Sequence, residues 1–426
     1  MNKLQSIRGM HDVLPENSAL WQRLEQELRS TAGRYDFHEI RIPVVESIEV
    51  FTRAIGQTTD VVEKEMYAFP DRNGDVLALR PEGTAGVVRS VIQHGLLHTP
   101  GLKVWYTGPM FRHERPQRGR QRQFYQFGAE AFGLEQPATD VELIMMVEQI
   151  WRRLGLRDHL ELQINSLGDK DDRKRYRDRL LNYLRPFRDR LDEDSQRRLE
   201  RNPLRIFDSK HPETQAIMAE APRLSDHLGS EAQAHFDDVR RMLDVLEVPY
   251  RVNSGLVRGL DYYSRTVFEW VSGNLGAQGT VCAGGRYDDL VEMQGGRATP
   301  GIGFAMGIER VIALLEEFGQ LTQHRPDAYI VSQVDPAMML SIAERLRTAI
   351  PGLKLAVSLA GGSFKAQFKR ADRSGARFAI VLGPQEIEQE VVQVKDMRSE
   401  ESVQQTIELD KLAGWMERRI GESNAA

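Results

Sequence analysis

The chain has 426 residues, too many for one hydrophobic core and enough for roughly two to four domains. Its composition, 41% hydrophobic and 28% charged, is that of an ordinary globular protein; the net charge of −5 excludes a wholly basic nucleic-acid binder but not local basic patches. No apolar run approaches the ~20 residues of a membrane helix, the opening MNKLQSIRGMHDVLPEN has no signal-peptide core, and the single Cys282 excludes internal disulfides and fits a reducing cytoplasm.

In chain order, Leu20, Leu24 and Leu28 recur at helical spacing and predict a helix over 18–36, with Gly33 as its stop. FHEIRIPVVE follows; Ile40, Ile42 and Val44 alternate as in a strand, and Pro43 demotes that strand to an edge or an interface. Residues 66–80, 102–112 and 122–133 read as antiparallel strands, with an amphipathic helix from Thr84 to Gln93 between them. From Asp169 to Arg201 charge dominates over a sparse apolar stripe, which predicts a solvated helical insertion. Strand patterning resumes near Tyr250 and runs to about Gln278; a turn at Ala283-Gly284-Gly285 and a helix closing near Gly319 follow. TQHRPDAY (322–329) reads as a linker, and beyond it strand and helix alternate in the βαβαβ rhythm of a small parallel or mixed α/β domain.

Five stretches carry candidate chemistry. GPMFRHERPQRGRQRQFYQFGAE (108–130) sets Arg112, Arg115, Arg118, Arg120 and Arg122 between two strands, with Phe124, Tyr125 and Phe127 at the exit. Arginines in such a loop suit bidentate contact with phosphate or carboxylate and stacking on flat rings, though a charged hairpin tip reads the same way. In LALRPEGTA (77–85), Glu82 or Thr84 could cap the helix that begins there, or Glu82 could accept from an ammonium group. LVRGLDYYSRTVFEW (256–270) turns at Gly259 after Arg258 and brings Asp261, Tyr262 and Tyr263; simple strand alternation would bury one tyrosine and expose the other. AGGRYDDL (283–290) places paired glycines before Arg286, Tyr287 and Asp288. PGIGFAMGIERVIALLEEF opens with Gly301, Gly303 and Gly307 and passes into a helix, which leaves Glu309 and Arg310 unexplained by core packing. His94 and His98 have metal-ligand spacing without a clustered third ligand, and no P-loop motif occurs.

Taken together, the stretches resemble the signature motifs of the class II aminoacyl-tRNA synthetases, in order and over most of the chain. FHEIRIPVVE resembles the dimer-forming first motif, FRHERPQRGRQRQFYQFGAE the arginine-led second, and GIGFAMGIER the third. LVRGLDYY and AGGRYDDL are sharper and resemble the two motifs peculiar to the histidyl-tRNA synthetase family, in its bacterial form. The resemblance implies an α+β catalytic domain with an antiparallel sheet flanked by helices, interrupted by a helical insertion, and a C-terminal α/β anticodon-binding domain. The corresponding spans are 1–168 and 251–321 for catalysis, 169–250 for the insertion, and 326–426 for the anticodon. It implies a cytoplasmic homodimeric ligase of protein biosynthesis whose partners are L-histidine, ATP and tRNA(His). Histidine's carboxylate attacks the α-phosphorus of ATP to give histidyl-adenylate and diphosphate; the terminal ribose of tRNA then takes the histidyl group and releases AMP.

The same resemblance assigns roles. Arg112 and Arg258 are the catalytic cations on the α-phosphate and the substrate carboxylate, Arg258 acting where related enzymes lean on a metal. Phe124 and Arg310 sandwich the adenine, Glu114 reads it, and Arg120 holds the outer phosphates; Mg²⁺ is held mainly by ATP, with no protein metal site. Glu130 and Tyr263 face the imidazole nitrogens, and Glu82, Thr84 and Gln126 receive the α-ammonium, so that Glu82 caps nothing. Gly83, Tyr262 and Tyr287 complete the histidine pocket, and Arg115 and Gln117 reach the tRNA acceptor end. Three rivals are a histidine-sensing paralogue, expected to lose Arg112, Arg258, Arg310 and the C-terminal domain; a synthetase for another amino acid, against which LVRGLDYY and Glu130 speak; and an unrelated nucleotide-binding interaction module, which would not require both histidine-type motifs.

In SFKAQFKRADRSGAR, Lys365, Lys369 and Arg373 fall at i, i+4 and i+8 on one helical stripe. Lys365 to Arg377 holds five cations against one acid, net +4, whereas 326–426 holds 13 against 14, net −1. The patch is local, as a footprint for anticodon phosphates would be; a solvated helix face is the alternative. Neutralising Lys365 and Lys369 together is expected to weaken tRNA aminoacylation while sparing ATP–pyrophosphate exchange. Equal loss of both activities would defeat the assignment.

Overall fold

The structure, a computed structural model, describes residues 3–56, 59–99, 101–117, 119–200, 202–256, 260, 262–319, 325–399 and 404–424. The chain divides into two compact units, Met1–Thr322 and Gln323–Ala426. None of the described helices is long and apolar enough to cross a membrane.

The first unit begins with α1 (Pro15–Arg34), led by Pro15 in the first turn and burying Leu20, Leu24 and Leu28. It passes one residue beyond Gly33 and is followed by Asp36 at φ 61°. The single strand expected across FHEIRIPVVE does not form. Two short strands, β1 (His38–Glu39) and β2 (Val45–Ser47), lie in different sheets, because the carbonyls of Ile42 and Pro43 are taken by the Arg80 guanidinium, at 2.9 and 3.4 Å, instead of by a neighbouring strand. Then come α2 (Ile48–Ile55), β3 (Ala68–Pro70), β4 (Val76–Leu79) and α3 (Thr84–Gln93); β2, β4 and β3 pair antiparallel in that order.

The strands β5 (Leu102–Phe111) and β6 (Gln123–Phe132) form the expected long hairpin, followed by α4 (Pro137–Leu154) and β7 (Glu161–Ser166). The charged segment folds into α5 (Lys170–Leu184), α6 (Glu193–Leu199), α7 (Pro212–Ala219) and short 3₁₀ turns. Its apolar stripe is a core face: Tyr176, Leu180, Leu181 and Leu184 are buried. Next, α8 (Ser230–Val245) packs Phe236, Val239 and Leu243 into the same cluster as α4. Strand character over 250–278 is discontinuous, comprising β8 (Tyr250–Val252), β9 (Ser264–Val271) and a 3₁₀ turn over Gly273–Gln278. Ala283-Gly284-Gly285 is no turn but the middle of β10 (Thr280–Arg286), between β9 and a later strand. A Cβ on Gly284 would lie 2.6 Å from the Phe268 ring and 2.7 Å from Phe304 Cβ, so glycine here serves close packing rather than chain reversal. The short α9 (Leu290–Met293), β11 (Gly301–Gly307) and α10 (Ile308–Phe318) complete the unit.

Among the described residues eight strands form one sheet, ordered β1-β5-β6-β11-β10-β9-β7-β8, antiparallel through the middle with a parallel pairing at each edge. The two-residue period sorts its side chains. Trp105, Phe127, Ala129 and Phe304 enter the core under α1, α4, α8 and α10, while Val104, Tyr106 and Phe132 face the other side with α2, α3 and the inserted helices.

The second unit holds β12 (Ala328–Ser332), α11 (Pro336–Ala349), β13 (Leu355–Val357), α12 (Phe364–Ser374), β14 (Phe378–Leu382), α13 (Pro384–Glu388), β15 (Val391–Asp396), β16 (Gln404–Glu408) and α14 (Leu412–Asn424). Its mixed sheet, β13-β12-β14-β15-β16, is parallel across β13, β12 and β14 and antiparallel beyond.

A buried polar trio ties β10 to two helices. Asp140 on α4 contacts Arg286 at 2.6 Å and His235 of α8 at 2.7 Å, and Arg286 also donates to the carbonyls of Leu134 and Gln136. Removing Asp140 leaves a guanidinium that is 1% exposed with the more distant Asp288, at 3.5 Å, as its remaining carboxylate. Asp140→Ala is therefore expected to cost about 3–5 kcal/mol in urea unfolding; a loss below about 1 kcal/mol would show the trio to be dispensable.

Candidate active site

Arg112 and Arg120 of the second motif, Arg310, and Tyr262, Tyr263 and Tyr287 meet in one cavity of about 450 Å³ on the α3 side of the sheet. Sheet periodicity explains the convergence. Gln126 and Glu130 project from one face of β6, and opposite them β11 offers glycine, Gly303 being paired with Glu130. A Cβ on Gly303 would overlap the Glu130 carboxylate, so only glycine leaves room there.

The nucleotide-facing wall is cationic. Arg112 follows β5, pairs its N–H with the Arg122 carbonyl at 2.9 Å, donates Nε to the Pro81 carbonyl at 2.8 Å, and lies 5.4 Å from the Phe124 ring centre. Arg310, in the first turn of α10, donates to the Gly119 carbonyl at 3.0 Å and to that of Thr280. Burial lowers the Arg310 pKa to about 10, helped by the repulsion of Arg112 and Arg120. Arg120 is paired with Glu114 and stands 3.6 Å from Glu65. Thus Glu114, assigned to the adenine, here holds the arginine assigned to the outer phosphates. Arg115 and Gln117 are exposed on the loop, where Gln117 and Arg120 form a two-bond backbone bridge.

The other end is a buried acid pocket. Glu82 was expected to cap nothing; it accepts from the backbone N–H of Thr84 at 2.7 Å and of Ala85 at 2.8 Å, and so caps α3, with Gly83 as N-cap residue. The helix start leaves these N–H groups without intrahelical partners, which is why the nearest carboxylate takes them. Glu130 is fully buried and accepts from the hydroxyls of Thr84 (2.7 Å), Tyr106 (3.4 Å) and Tyr287. Burial raises its pKa to about 8 against the lowering effect of the Tyr287 and Thr84 hydrogen bonds. Burial likewise raises Glu82, and holds the phenols of Tyr106, Tyr262 and Tyr287 well above their ordinary value. Tyr262 and Tyr263 are both buried, against the alternation expected of them, with ring centres 4.7 Å apart; Tyr262 also meets Tyr287 edge-on at 5.8 Å. Gln126 keeps a buried Oε1 without a hydrogen-bond partner among the described residues.

Arg258, with Gly259 and Asp261 beside it and Arg118 of the loop, lies outside the described residues. In the second unit Lys365, Lys369 and Arg373 are exposed together on α12, while Gln367 on the opposite side bonds Ser332 and Gly362. Sequence reading missed Tyr106, Glu269 and the pair Asp60 and Arg205, all at the cavity except Tyr106, which backs Glu130. Alternation along β5 and β9 could have found Tyr106 and Glu269. Asp60 and Arg205, from segments far apart in sequence, gave no local signal. The described residues include no group of three or more His, Cys, Asp or Glu able to hold a metal ion.

Residues 9–311 match the family described as histidyl-tRNA synthetase, and residues 327–419 match the family described as anticodon binding domain. A histidine–tRNA ligase from Halorhodospira halophila is 55% identical over 419 residues, 98% of this chain and 99% of that protein. The apo histidyl-tRNA synthetase of S. aureus superposes with a TM-score of 0.81 at 38% identity, covering 97% of this chain and 100% of that one. A Bacillus halodurans protein described as an ATP phosphoribosyltransferase regulatory subunit/histidyl-tRNA synthetase shares the fold at 20% identity, with a TM-score of 0.66 over 90% of this chain and 99% of that one.

Glu130 sets a pH dependence. Its folded pKa, about 8, lies above the ordinary 4.5, so the folded state holds a proton that the unfolded chain releases between those values. That contribution to stability is complete below pH 4.5 and is lost as pH rises towards 8. Glu130→Gln is expected to flatten the fall in urea midpoint between pH 5 and 8; an unchanged slope would place the ionised form in the empty site.

Proposed function

The chain belongs to the histidyl-tRNA synthetase family, and from that premise we propose how its own residues activate histidine with ATP and pass it to tRNA(His). It is an aminoacyl-tRNA synthetase and charges tRNA with histidine. One observation carries the mechanistic reading: Arg112, Arg120 and Arg310 crowd one end of a cavity whose other end is a buried carboxyl pocket.

ATP enters the cationic end. Phe124 and Arg310 hold the two faces of the adenine, with Glu114 at its edge. Glu114 and Glu65 keep Arg120 in place until the outer phosphates exchange for them. Arg112 and Arg258 neutralise the charge that builds on the α-phosphate and hold the attacking carboxylate in line, which makes fixed electrostatics rather than a protein base the source of rate. Mg²⁺, when bound with ATP, would be held mainly by the phosphates and would supply further positive charge there; Glu269, a carboxylate on the cavity wall, would suit one further ligand position.

Histidine takes the acid end. Gln126, with its unpartnered oxygen, joins Glu82 and Thr84 around the α-ammonium, and a carboxylate that caps a helix with two bonds retains lone pairs for a third. Glu130 and Tyr263 meet the imidazole, with Gly83, Tyr262 and Tyr287 closing the walls. A ring that leaves a buried carboxyl unmatched is rejected, by ~10⁴-fold for a site of this kind. Arg115 and Gln117 reach the acceptor end of tRNA, and Lys365, Lys369 and Arg373 the anticodon phosphates. The spans 1–168 and 251–321 form the catalytic domain and 326–426 the anticodon-binding domain; within 169–250, α8 packs with the catalytic core. A homodimer forms through the 37–46 segment and the neighbouring small sheet, where Val45, Phe69 and Val76 are exposed apolar residues. The setting is the cytoplasm.

ATP–pyrophosphate exchange measured with each of the twenty amino acids is expected to respond to histidine alone. Arg112→Ala and Arg258→Ala are each expected to lower histidine-dependent exchange by ~10²-fold or more while leaving the fold intact. Near-normal exchange in either variant would remove that arginine from catalysis.

A further inference from the structure

The strand β11 ends at Gly307, opposite Gln126, and the chain turns at once into α10. Tyr125 therefore lies one residue beyond the last strand pairing on that side of β6. On the other side its register partner is Pro109, which has no N–H, and whose carbonyl is taken by Arg80 Nε at 2.8 Å. The Tyr125 N–H needs an acceptor that neither strand supplies. Glu309 provides it: both carboxylate oxygens accept that N–H, at 2.9 and 3.0 Å.

The neighbours make the bond consequential. Phe124 precedes Tyr125, and Arg310 follows Glu309; both line the cavity. We propose that Glu309 is a positioning residue for the nucleotide, which by clamping Tyr125 to the head of α10 sets the gap between Phe124 and Arg310. The inference rests on the reading of those two side chains as the faces of the adenine slot. Trp21 of α1 steadies the same point from outside, its ring meeting that of Tyr125 edge-on at 5.3 Å. Burial pushes the Glu309 carboxyl up to about 7, against the lowering effect of its backbone hydrogen bonds, that from Tyr125 among them, and of the Arg310 charge. Glutamine, neutral and with one acceptor oxygen, is thus a fair substitute, whereas aspartate falls one methylene short of the N–H.

The test is steady-state ATP–pyrophosphate exchange on the full chain, with KM measured separately for ATP and for histidine. Glu309→Ala and Glu309→Asp are expected to raise the KM for ATP by ~10-fold, as loss of a charge-assisted hydrogen bond would, and to leave the KM for histidine within about 2-fold. Glu309→Gln should return the KM for ATP to within about 3-fold of the parent. Should Glu309→Ala fail to fold, Glu309→Asp carries the comparison. An unchanged KM for ATP, or equal rises for both substrates, overturns the inference. Arg310→Ala separates the two levels: if it raises the KM for ATP while the Glu309 variants do not, the slot stands and the clamp falls, and if it too has no effect, the slot falls with the clamp.

Discussion

Like charges held close together in a partly water-excluded cavity repel, and Arg112, Arg120 and Arg310 stand together at one end of this cavity with Glu114 and Glu65 offsetting the charge of Arg120; on the proposed reading the phosphates of ATP complete that compensation. The lowered pKa of Arg310 records the repulsion, with burial as the larger cause and the two neighbouring guanidinium groups next. Phosphate relieves the strain twice over, by neutralising each cation and by bringing its own acceptors. The attraction then grows where it matters, because charge on the α-phosphate increases as the carboxylate approaches.

Such a cluster requires a frame that does not yield. Arg112 and Arg310 are each fixed by backbone carbonyls, of Pro81 and of Gly119 and Thr280, so their guanidinium planes are set by the chain path itself. Arg80 does the same work one layer back, binding the carbonyls of Ile42, Pro43 and Pro109 and so joining the first-motif segment to β5. At the opposite end the frame is acidic and dry. Glu130, surrounded by three hydroxyls and with no cation among its partners in the described residues, is pushed up to about 8 and favours its neutral form. On the proposed reading, charge selection at the two ends orients both substrates.

Local signals in the sequence reached a good part of this. Strand patterning found the β5–β6 hairpin, and the cap-like Gly83-Thr84 marked where α3 begins. Glycine misled where its role was steric: Gly284 sits inside β10 because Phe268 and Phe304 need the space, Gly285 because the Thr266 carbonyl, Val267 and Tyr263 do, and no local pattern separates that from a turn. Pro43 pointed to an edge or an interface, and the two short strands flanking it, β1 and β2, do lie at sheet edges, while the carbonyls between them serve a distant arginine. Tyr262 and Tyr263 are both buried because the chain there is not a strand, so a two-residue period did not apply. Contacts between remote segments, such as Tyr287 with Glu130 or Glu309 with Tyr125, follow from sheet order, and sheet order is invisible to local periodicity. Glu82 was the instructive case: capping and ligand binding draw on the same oxygen atoms, and residue identity alone does not choose between them.

The most direct trial of the electrostatic account is a crystal structure of the protein with histidine and a non-hydrolysable ATP analogue bound together. The account requires the α-phosphate and the histidine carboxylate to lie side by side within hydrogen-bonding reach of the Arg112 and Arg258 side chains, with the imidazole against Glu130. Both ligands well ordered but seated away from those two guanidinium groups would contradict it.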